Sequence, residues 1–400
     1  MRAYELTEAV KTKLDTPEFK ALLTPGLLRL GKIYRDHGRD IRIVGGAVRD
    51  LVLGKEPKDV DLATDATPEE SIKYLEQAGV RVVPTGLQHG TVTAVIDGED
   101  FEITTLRIDV ETFGRKANVA FTRDWKKDAE RRDLTFNAMS LELDGTLYDY
   151  FGGIEDLKKQ KAQFVGSADQ RIKEDYLRTL RYFRFKGRLS QPEFDQNTLD
   201  AIERNAKGLE QISGERIWME MAKILSGNNT QLLLDKIRDT GVDLYINLPP
   251  LNTESLNRIK AHTDNAATIL GGMLQKEAQV NKLADDWKFS VPERELMKFI
   301  VKHKYEKFDL KIAKEMWTSK KSPNDFVLEL ARYFGRDDIV RDLQAWQTPV
   351  FPVSGNDLMT MGIKAGPEMG KLLRDLERKW KDSNYELSKE ELLRTINATQ

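Results

Sequence analysis

Hydrophobic and polar positions change texture twice along the 400-residue chain. Residues 1–40 read as helical, with a break at Pro25-Gly26. Between 41 and 165, short β-branched runs alternate with helices: IRIV, DVDLA, VRVV, TVTAVI, FEITTL, AMSLEL and TLYDYF. From about 170 onward, apolar residues recur every three or four positions, as in EDYLRTLRYFRF, ERIWMEMAKIL, TQLLLDKIRDTG and KLLRDLERKW. That period predicts helix almost to the end. Candidate breaks fall at Gly152-Gly153, Ser190-Gln191-Pro192, Leu248-Pro249-Pro250, Ser322-Pro323 and Thr348-Pro349. Ser388 followed by Glu391 reads as a capping box opening the last helix. The pattern predicts an α+β protein, an N-terminal mixed β-sheet followed by an elongated all-α array. No repeat is visible, and residues 250–345 carry nothing assignable to chemistry.

Composition narrows the classes. Forty per cent apolar residues can bury a sizeable core, and the length suggests two to three domains. With 63 basic and 65 acidic side chains the net charge is −2, which argues against a bulk-charge nucleic-acid binder but leaves room for local patches. The absence of cysteine excludes disulfides, thiolate nucleophiles, zinc ribbons and iron–sulfur clusters. His37, His89, His262 and His303 are scattered, so a histidine-rich metal site is not expected. No run approaches 18 apolar residues, so no membrane span is expected. The first residues, MRAYELTEAVKTKLDT, lack an apolar signal core and are too acidic for a transit peptide, which predicts a soluble intracellular protein.

Three segments carry candidate chemistry in the N-terminal part. In Ile41–Asp50, IRIVGGAVRD, a strand runs into two glycines and then a helix that Gly54 can end. Glycines allow close backbone approach, which suits phosphate, although a plain strand-to-helix turn has the same look. It is neither a Rossmann fingerprint nor a Walker loop, since the third glycine and the Gly-Lys-Ser/Thr are missing. Next, Asp59 and Asp61 flank Val60. On a strand they share a face, and paired carboxylates persist where a hard cation such as Mg²⁺ neutralises them. Two exposed acids at a strand end are the plainer alternative. Glu102, on the strand 101–105, is a possible third carboxylate or simply an outward charge. Finally, Arg131 and Arg132 in the Asp128–Ala138 segment suit a triphosphate, or else form a charged helix start. Adjacent helical residues point different ways, so one of the two is expected to reach a ligand.

Residues 171–190 hold seven basic and two acidic side chains, a local +5. On one continuous helix Asp175, Arg178 and Arg181 fall within about 120° of one another. Leu177, Leu180 and Phe183 form another side, with Arg184 at its edge. A solvated amphipathic helix with ordinary ion pairs accounts for the same residues. The Asp175/Arg178 pair has a sharper meaning. Cytosine and adenine both offer an exocyclic amine beside an unprotonated ring nitrogen, which a carboxylate and a guanidinium complement. Uracil and guanine present the reverse, a mismatch worth ~1–3 kcal/mol by analogy with base-edge readout.

Taken together, GGAVRD (45–50), DVD (59–61), FEITTLRID (101–109), ERRDLTFNAM (130–139), EDYLRTLRYFRF (174–185), ISGERIW (212–218) and FPVSGNDL (351–358) resemble the class II tRNA nucleotidyltransferases. These CCA-adding enzymes belong to the polymerase β-like nucleotidyltransferase superfamily, and the wording is most like the eukaryotic, mitochondrial-type members. The likeness spans nearly the whole chain. It implies a catalytic nucleotidyltransferase head (1–150), a neck bearing the nucleotide-base template (151–220), a helical body (221–325) and a helical, tRNA-binding tail (326–400). It implies that Asp59 and Asp61 are catalytic ligands of Mg²⁺. Gly46, Arg49 and Arg132 would contact the triphosphate. Asp175 and Arg178 would form the template, with Arg181 and Arg184 nearby. The substrates implied are tRNA, CTP and ATP. The location expected is cytoplasmic or mitochondrial and the state monomeric, with a dimer as the alternative. Residues 108–127 resemble the family's flexible loop for switching from CTP to ATP. A poly(A) polymerase, a partial CC- or A-adding enzyme, and an inactive RNA-binding homologue are the rival readings, and intact Asp59, Asp61 and Arg132 argue against the last.

Overall fold

The computed structural model describes residues 9–87, 90–113, 116–190, 193–319, 321 and 323–397. The chain forms two compact units. One runs to Pro249 and takes in Leu283–Phe289, and the other holds Pro250–Lys282 and the chain from Ser290 on. The division falls at the Leu248-Pro249-Pro250 break.

The first unit contains the sheet. Its strands are β1 (Val10–Lys13), β2 (Ile41–Val44), β3 (Leu62–Thr64), β4 (Arg81–Gly86), β5 (Thr91–Ile96), β6 (Glu99–Thr105), β7 (Arg107–Phe113), β8 (Lys116–Phe121), β9 (Ser140–Glu142) and β10 (Thr146–Asp149). Eight of them form one mixed sheet in the order β1-β10-β9-β2-β3-β6-β5-β4. Within it β3 and β6 run parallel, Leu62 opposite Ile103. β2 is buried at all four positions, as a central strand must be. β5 alternates half-buried and buried residues, the expected mark of TVTAVI. Helices Pro25–Asp36 and Pro68–Gln77 pack on this sheet. Each opens with a threonine side chain accepting a backbone N–H and proline in the first turn.

Three expectations are corrected. Residues 10–13 are not helical but an exposed edge strand antiparallel to β10, Val10 opposite Asp149. Pairing with the sheet overrides a weak local preference there. Asp59 and Asp61 lie in the extended segment just before β3, not on the strand itself. Residues 107–121 form the β7–β8 hairpin, with Arg107 opposite Phe121 and a register shift between Asp109 and Glu111. Its tip, 114–115, lies outside the described residues, as do Gln191, Pro192 and Ser322 of the predicted breaks.

The rest is helical, as expected. In the first unit Trp287 is buried, stacks on Trp218 with ring centres 6.1 Å apart, and donates its indole N–H to the Ile246 carbonyl at 2.6 Å. The second unit packs one core around Ala313, Val327, Ala331, Ile339 and Leu343. Another forms around Val353, Leu358, Leu376, Trp380 and Leu392. The Ser388–Glu391 capping box is present, with Ser388 N–H donating to the glutamate at 2.8 Å. No described helix is long and apolar enough to cross a membrane.

Candidate nucleotide and metal site

β2 ends at Val44, and Gly45 turns the chain at φ +70°, a conformation most side chains resist. A Cβ at Gly45 would lie 3.3 Å from Arg132 Nη1, and one at Gly46 would lie 3.5 Å from Arg49 Nη2. The glycines thus bring bare backbone beside two guanidiniums. Both guanidiniums are held. Arg49 is 7% exposed; its Nη2 donates to Asp50 Oδ1 at 2.7 Å and its Nη1 to Asn137 Oδ1 at 3.0 Å. Arg132 Nη2 donates to Asp128 Oδ2 at 3.1 Å and its Nη1 to the Asn137 carbonyl at 3.5 Å. Arg131 pairs with the other oxygen of Asp128, at 2.8 Å. The two arginines therefore share one buried carboxylate at the end of helix Trp125–Glu130, not at a helix start. Burial alone would raise the Asp128 carboxyl, but Arg132 and Arg131 outweigh it and hold it below the usual range.

Asn137 joins this cluster to the next. Its amide donates to Asp133 Oδ1 at 3.1 Å, and Asp133 Oδ2 accepts from Arg181 Nη2 at 2.6 Å. Burial pushes the Asp133 carboxyl up, yet the Arg181 charge, the Asn137 amide and the Leu134 N–H bring it below the ordinary value.

The carboxylate pair sits beside the glycine turn, because Val44 N–H donates to the Asp61 carbonyl at 3.0 Å. Along Asp59-Val60-Asp61-Leu62 the chain reads exposed, half-buried, exposed, buried, the alternation of extended backbone. Among the described residues neither carboxylate forms an ion pair, so both offer free oxygen lone pairs. The parallel β3–β6 register sets exposed Glu102 abreast of Asp61, one residue before the first paired residues. Even so, no three side chains among the described residues cluster as a metal-binding group. The donor set fits a hard cation such as Mg²⁺, which takes one or two carboxylates and completes its shell with water and phosphate oxygens.

The segment predicted as one helix over 171–185 is two. Helix Ala168–Glu174 stops at Asp175, whose backbone is extended at φ −152° and ψ 105°, and helix Arg178–Gly187 follows. The angular argument that put Asp175, Arg178 and Arg181 on one helical face therefore does not hold. Nor do Asp175 and Arg178 pair with each other. Asp175 Oδ2 accepts from Arg216 at 2.7 Å and its Oδ1 from Leu177 N–H at 3.2 Å. Arg178 donates to Glu174 at 2.5 Å and to the carbonyls of Arg171 at 3.0 Å and Arg131 at 2.7 Å. The last bond ties the second helix to the Arg131-Arg132 segment. Arg184, expected at the edge of the apolar face, is 8% exposed and pairs with Glu220 at 3.1 Å. Burial pushes its guanidinium down to about 10.

The structure thus brings Arg49, Arg132, Arg178 and Arg181 into one hydrogen-bonded network, with Gly46 beside Arg49 and Asp61 against the glycine turn. Arg184 adjoins that network across Phe185, with its Cζ 4.3 Å from the ring centre. The reading of the sequence assigned no role to Asn137, Asp128, Asp133, Arg216 or Glu220. Their signal was available: the first three lie inside or beside ERRDLTFNAM, and Arg216 lies in ISGERIW.

The chain matches known proteins over nearly its whole length. A family model described as "Poly A polymerase head domain" matches residues 41–163, and one described as "Probable RNA and SrmB- binding site of polymerase A" matches residues 193–250. The CCA tRNA nucleotidyltransferase 1, mitochondrial, of Danio rerio is 46% identical, covering 96% of this chain and 93% of its own length. Its Homo sapiens counterpart is also 46% identical, covering 97% and 93%. The Bacillus stearothermophilus CCA-adding enzyme in complex with CTP superposes with a TM-score of 0.72 at 26% identity, covering 96% of this chain and 99% of its own. With this identity over nearly the full length, the chain belongs to the CCA tRNA nucleotidyltransferase family.

Proposed function

We propose that this chain adds CCA to tRNA 3′ ends from CTP and ATP, with protein side chains choosing the base. The observation that carries the reading is the juxtaposition at the end of β2. Asp59 and Asp61, without an ion pair among the described residues, adjoin a glycine turn flanked by Arg49 and Arg132, in a network that reaches Arg178. Relatives named as CCA tRNA nucleotidyltransferases support it, and the mitochondrial designation they carry supports a cytoplasmic or mitochondrial location.

Asp59 and Asp61 would hold Mg²⁺, which when bound lowers the pKa of the attacking 3′-hydroxyl and neutralises phosphate charge. The chain's own residues do the rest. Arg49 and Arg132, fixed by Asp50, Asp128 and Asn137, bind the triphosphate and so set the α-phosphate in line with the tRNA 3′-oxygen. Asp175 accepts from the exocyclic amine of cytosine or adenine, using lone pairs left over from Arg216 and Leu177. Arg178 donates to the adjacent ring nitrogen from N–H groups its three present bonds do not use. The 3′-oxygen displaces pyrophosphate, and the rate comes chiefly from positioning and electrostatic stabilisation. No side chain in these motifs stands out as a general base.

The test is incubation with a tRNA transcript lacking CCA and each nucleotide, followed by sequencing of the 3′ ends. Ordered C, C, A is expected. A run of A, CC alone, A alone, or no addition would replace this reading with one of its rivals. Asp59→Ala and Asp61→Ala should each abolish incorporation while circular dichroism stays unchanged, and near-normal incorporation in either would remove the metal assignment.

A further inference from the structure

The Phe185 ring, 4% exposed, is surrounded by guanidiniums. The Cζ atoms of Arg49, Arg181, Arg184 and Arg188 lie 5.1, 5.6, 4.3 and 5.3 Å from its centre. Three of them have a carboxylate partner: Asp50 for Arg49, Asp133 for Arg181 and Glu220 for Arg184. Arg188 has none within ion-pair distance among the described residues, and it is exposed. Lys223, on helix Gly214–Ser226 one turn beyond Glu220, likewise has none.

The Arg184–Glu220 pair brings the two helices together, with Arg188 one turn after Arg184 and Lys223 one turn after Glu220. Partial desolvation of its head group holds Arg188 below its ordinary value although the residue as a whole is exposed, and the Arg49 charge adds to that. Lys223 is lowered by burial against the pull of Glu220, with Arg184, Arg181 and Arg188 repelling it. A folded chain that gathers more cations than carboxylates stabilises an anion there. The cations nearest the glycine turn decide which anion, because Arg188 shares the Phe185 ring with Arg49, which lies on the helix that follows Gly45.

We propose that Arg188, seconded by Lys223, binds a phosphate of the incoming nucleoside triphosphate beside Arg49. The inference rests on the reading of that turn as the triphosphate site. Because it touches no base, its contribution is the same for CTP and ATP.

The experiment compares Arg188→Gln, Arg188→Lys and Lys223→Gln with the wild-type chain. Steady-state kinetics with CTP and with ATP on tRNA is paired with calorimetric titration of inorganic tripolyphosphate. Arg188→Gln should raise KM for both nucleotides by about tenfold, the ~1.4 kcal/mol of one charge-assisted contact, with KM for tRNA unchanged. Tripolyphosphate affinity should fall by the same factor. Arg188→Lys should recover part of the loss, and Lys223→Gln should give a smaller loss of the same kind. Unchanged nucleotide KM and tripolyphosphate affinity would overturn the proposal. A rise in KM for tRNA alone would overturn it too, assigning Arg188 to the RNA backbone. Arg132→Ala separates the layers. If it lowers tripolyphosphate affinity while Arg188→Gln does not, this inference alone fails. If neither does, the triphosphate reading of the turn fails with it.

Discussion

Asp175 is the residue to which the proposed function assigns base choice, and its environment makes that assignment testable. Its carboxylate is fixed by Arg216, not by Arg178. Asp175→Ala should therefore erode the preference for CTP and ATP over UTP and GTP by about tenfold or more, in line with ~1–3 kcal/mol per mismatched edge. Arg216→Ala, which keeps the carboxylate but frees it, should erode the same ratio in the same direction by less. The measurement is kcat/KM for all four nucleotides on one tRNA, and proportional losses for all four would assign both residues to structure alone. Asp133 gives a pH prediction. Its native carboxyl lies below the ordinary value near 4, so the folded state holds fewer protons than the unfolded one below that pH. The stability it contributes is full above about pH 4 and is lost as pH falls through the lower native value. Urea midpoints between pH 7 and 3 should show this decline, and Asp133→Asn should flatten it while lowering stability throughout.

At the scale of elements, helix Gly214–Ser226 supports the site from behind, carrying Arg216 toward Asp175 and Glu220 toward Arg184. It can sit there because Gly214 has no Cβ, as one would lie 1.9 Å from the Asp286 carbonyl oxygen and 2.8 Å from Trp287 Cα. Both neighbours are backbone and cannot swing away. Gly214→Ala should cost about 3 kcal/mol, the upper end of overpacking, and blur nucleotide choice as well. Thermal unfolding and the four-nucleotide assay report the two effects, and a stability loss with unchanged selectivity would uncouple this helix from base choice. This close approach was not legible in the string ISGERIW, because it involves residues 72 and 73 positions away. Much else was legible. The alternation of TVTAVI gave β5, the Gly-Gly run gave the turn, and Ser388 with Glu391 gave a helix start. What misled was continuity. Apolar spacing across EDYLRTLRYFRF satisfies one helix, but spacing cannot register that Asp175 is extended and paired with Arg216. For Val10–Lys13 the deciding partner, β10, lies more than 130 residues away.

At the scale of the whole molecule, the division at Pro249/Pro250 separates the sheet and its arginine network from a unit with two cores of its own. One core is drawn wholly from residues 353–396. It attaches within its unit through Lys311–Asp382 at 3.1 Å and through the Trp346 ring against Tyr385 at 5.0 Å. Removing residues 350–400 should leave nucleotide binding intact and weaken tRNA binding. The salt dependence of that binding should become shallower, since fewer counterions are released. Fluorescence titration of tRNA across a salt series reads this, and an unchanged slope and affinity in a folded truncation would exclude the tail from RNA binding.

The pairing of each named site arginine but Arg188 with a carboxylate or carbonyl has a thermodynamic consequence. Long side chains that must settle into one rotamer when a ligand arrives each lose about 0.5–1.5 kcal/mol of conformational freedom at that moment. Here Arg49, Arg132, Arg178 and Arg181 are already immobilised by Asp50, Asp128, Glu174 and Asp133. That loss is incurred once, when the chain folds, and under the proposed function it is not repeated for each of three nucleotides added in succession.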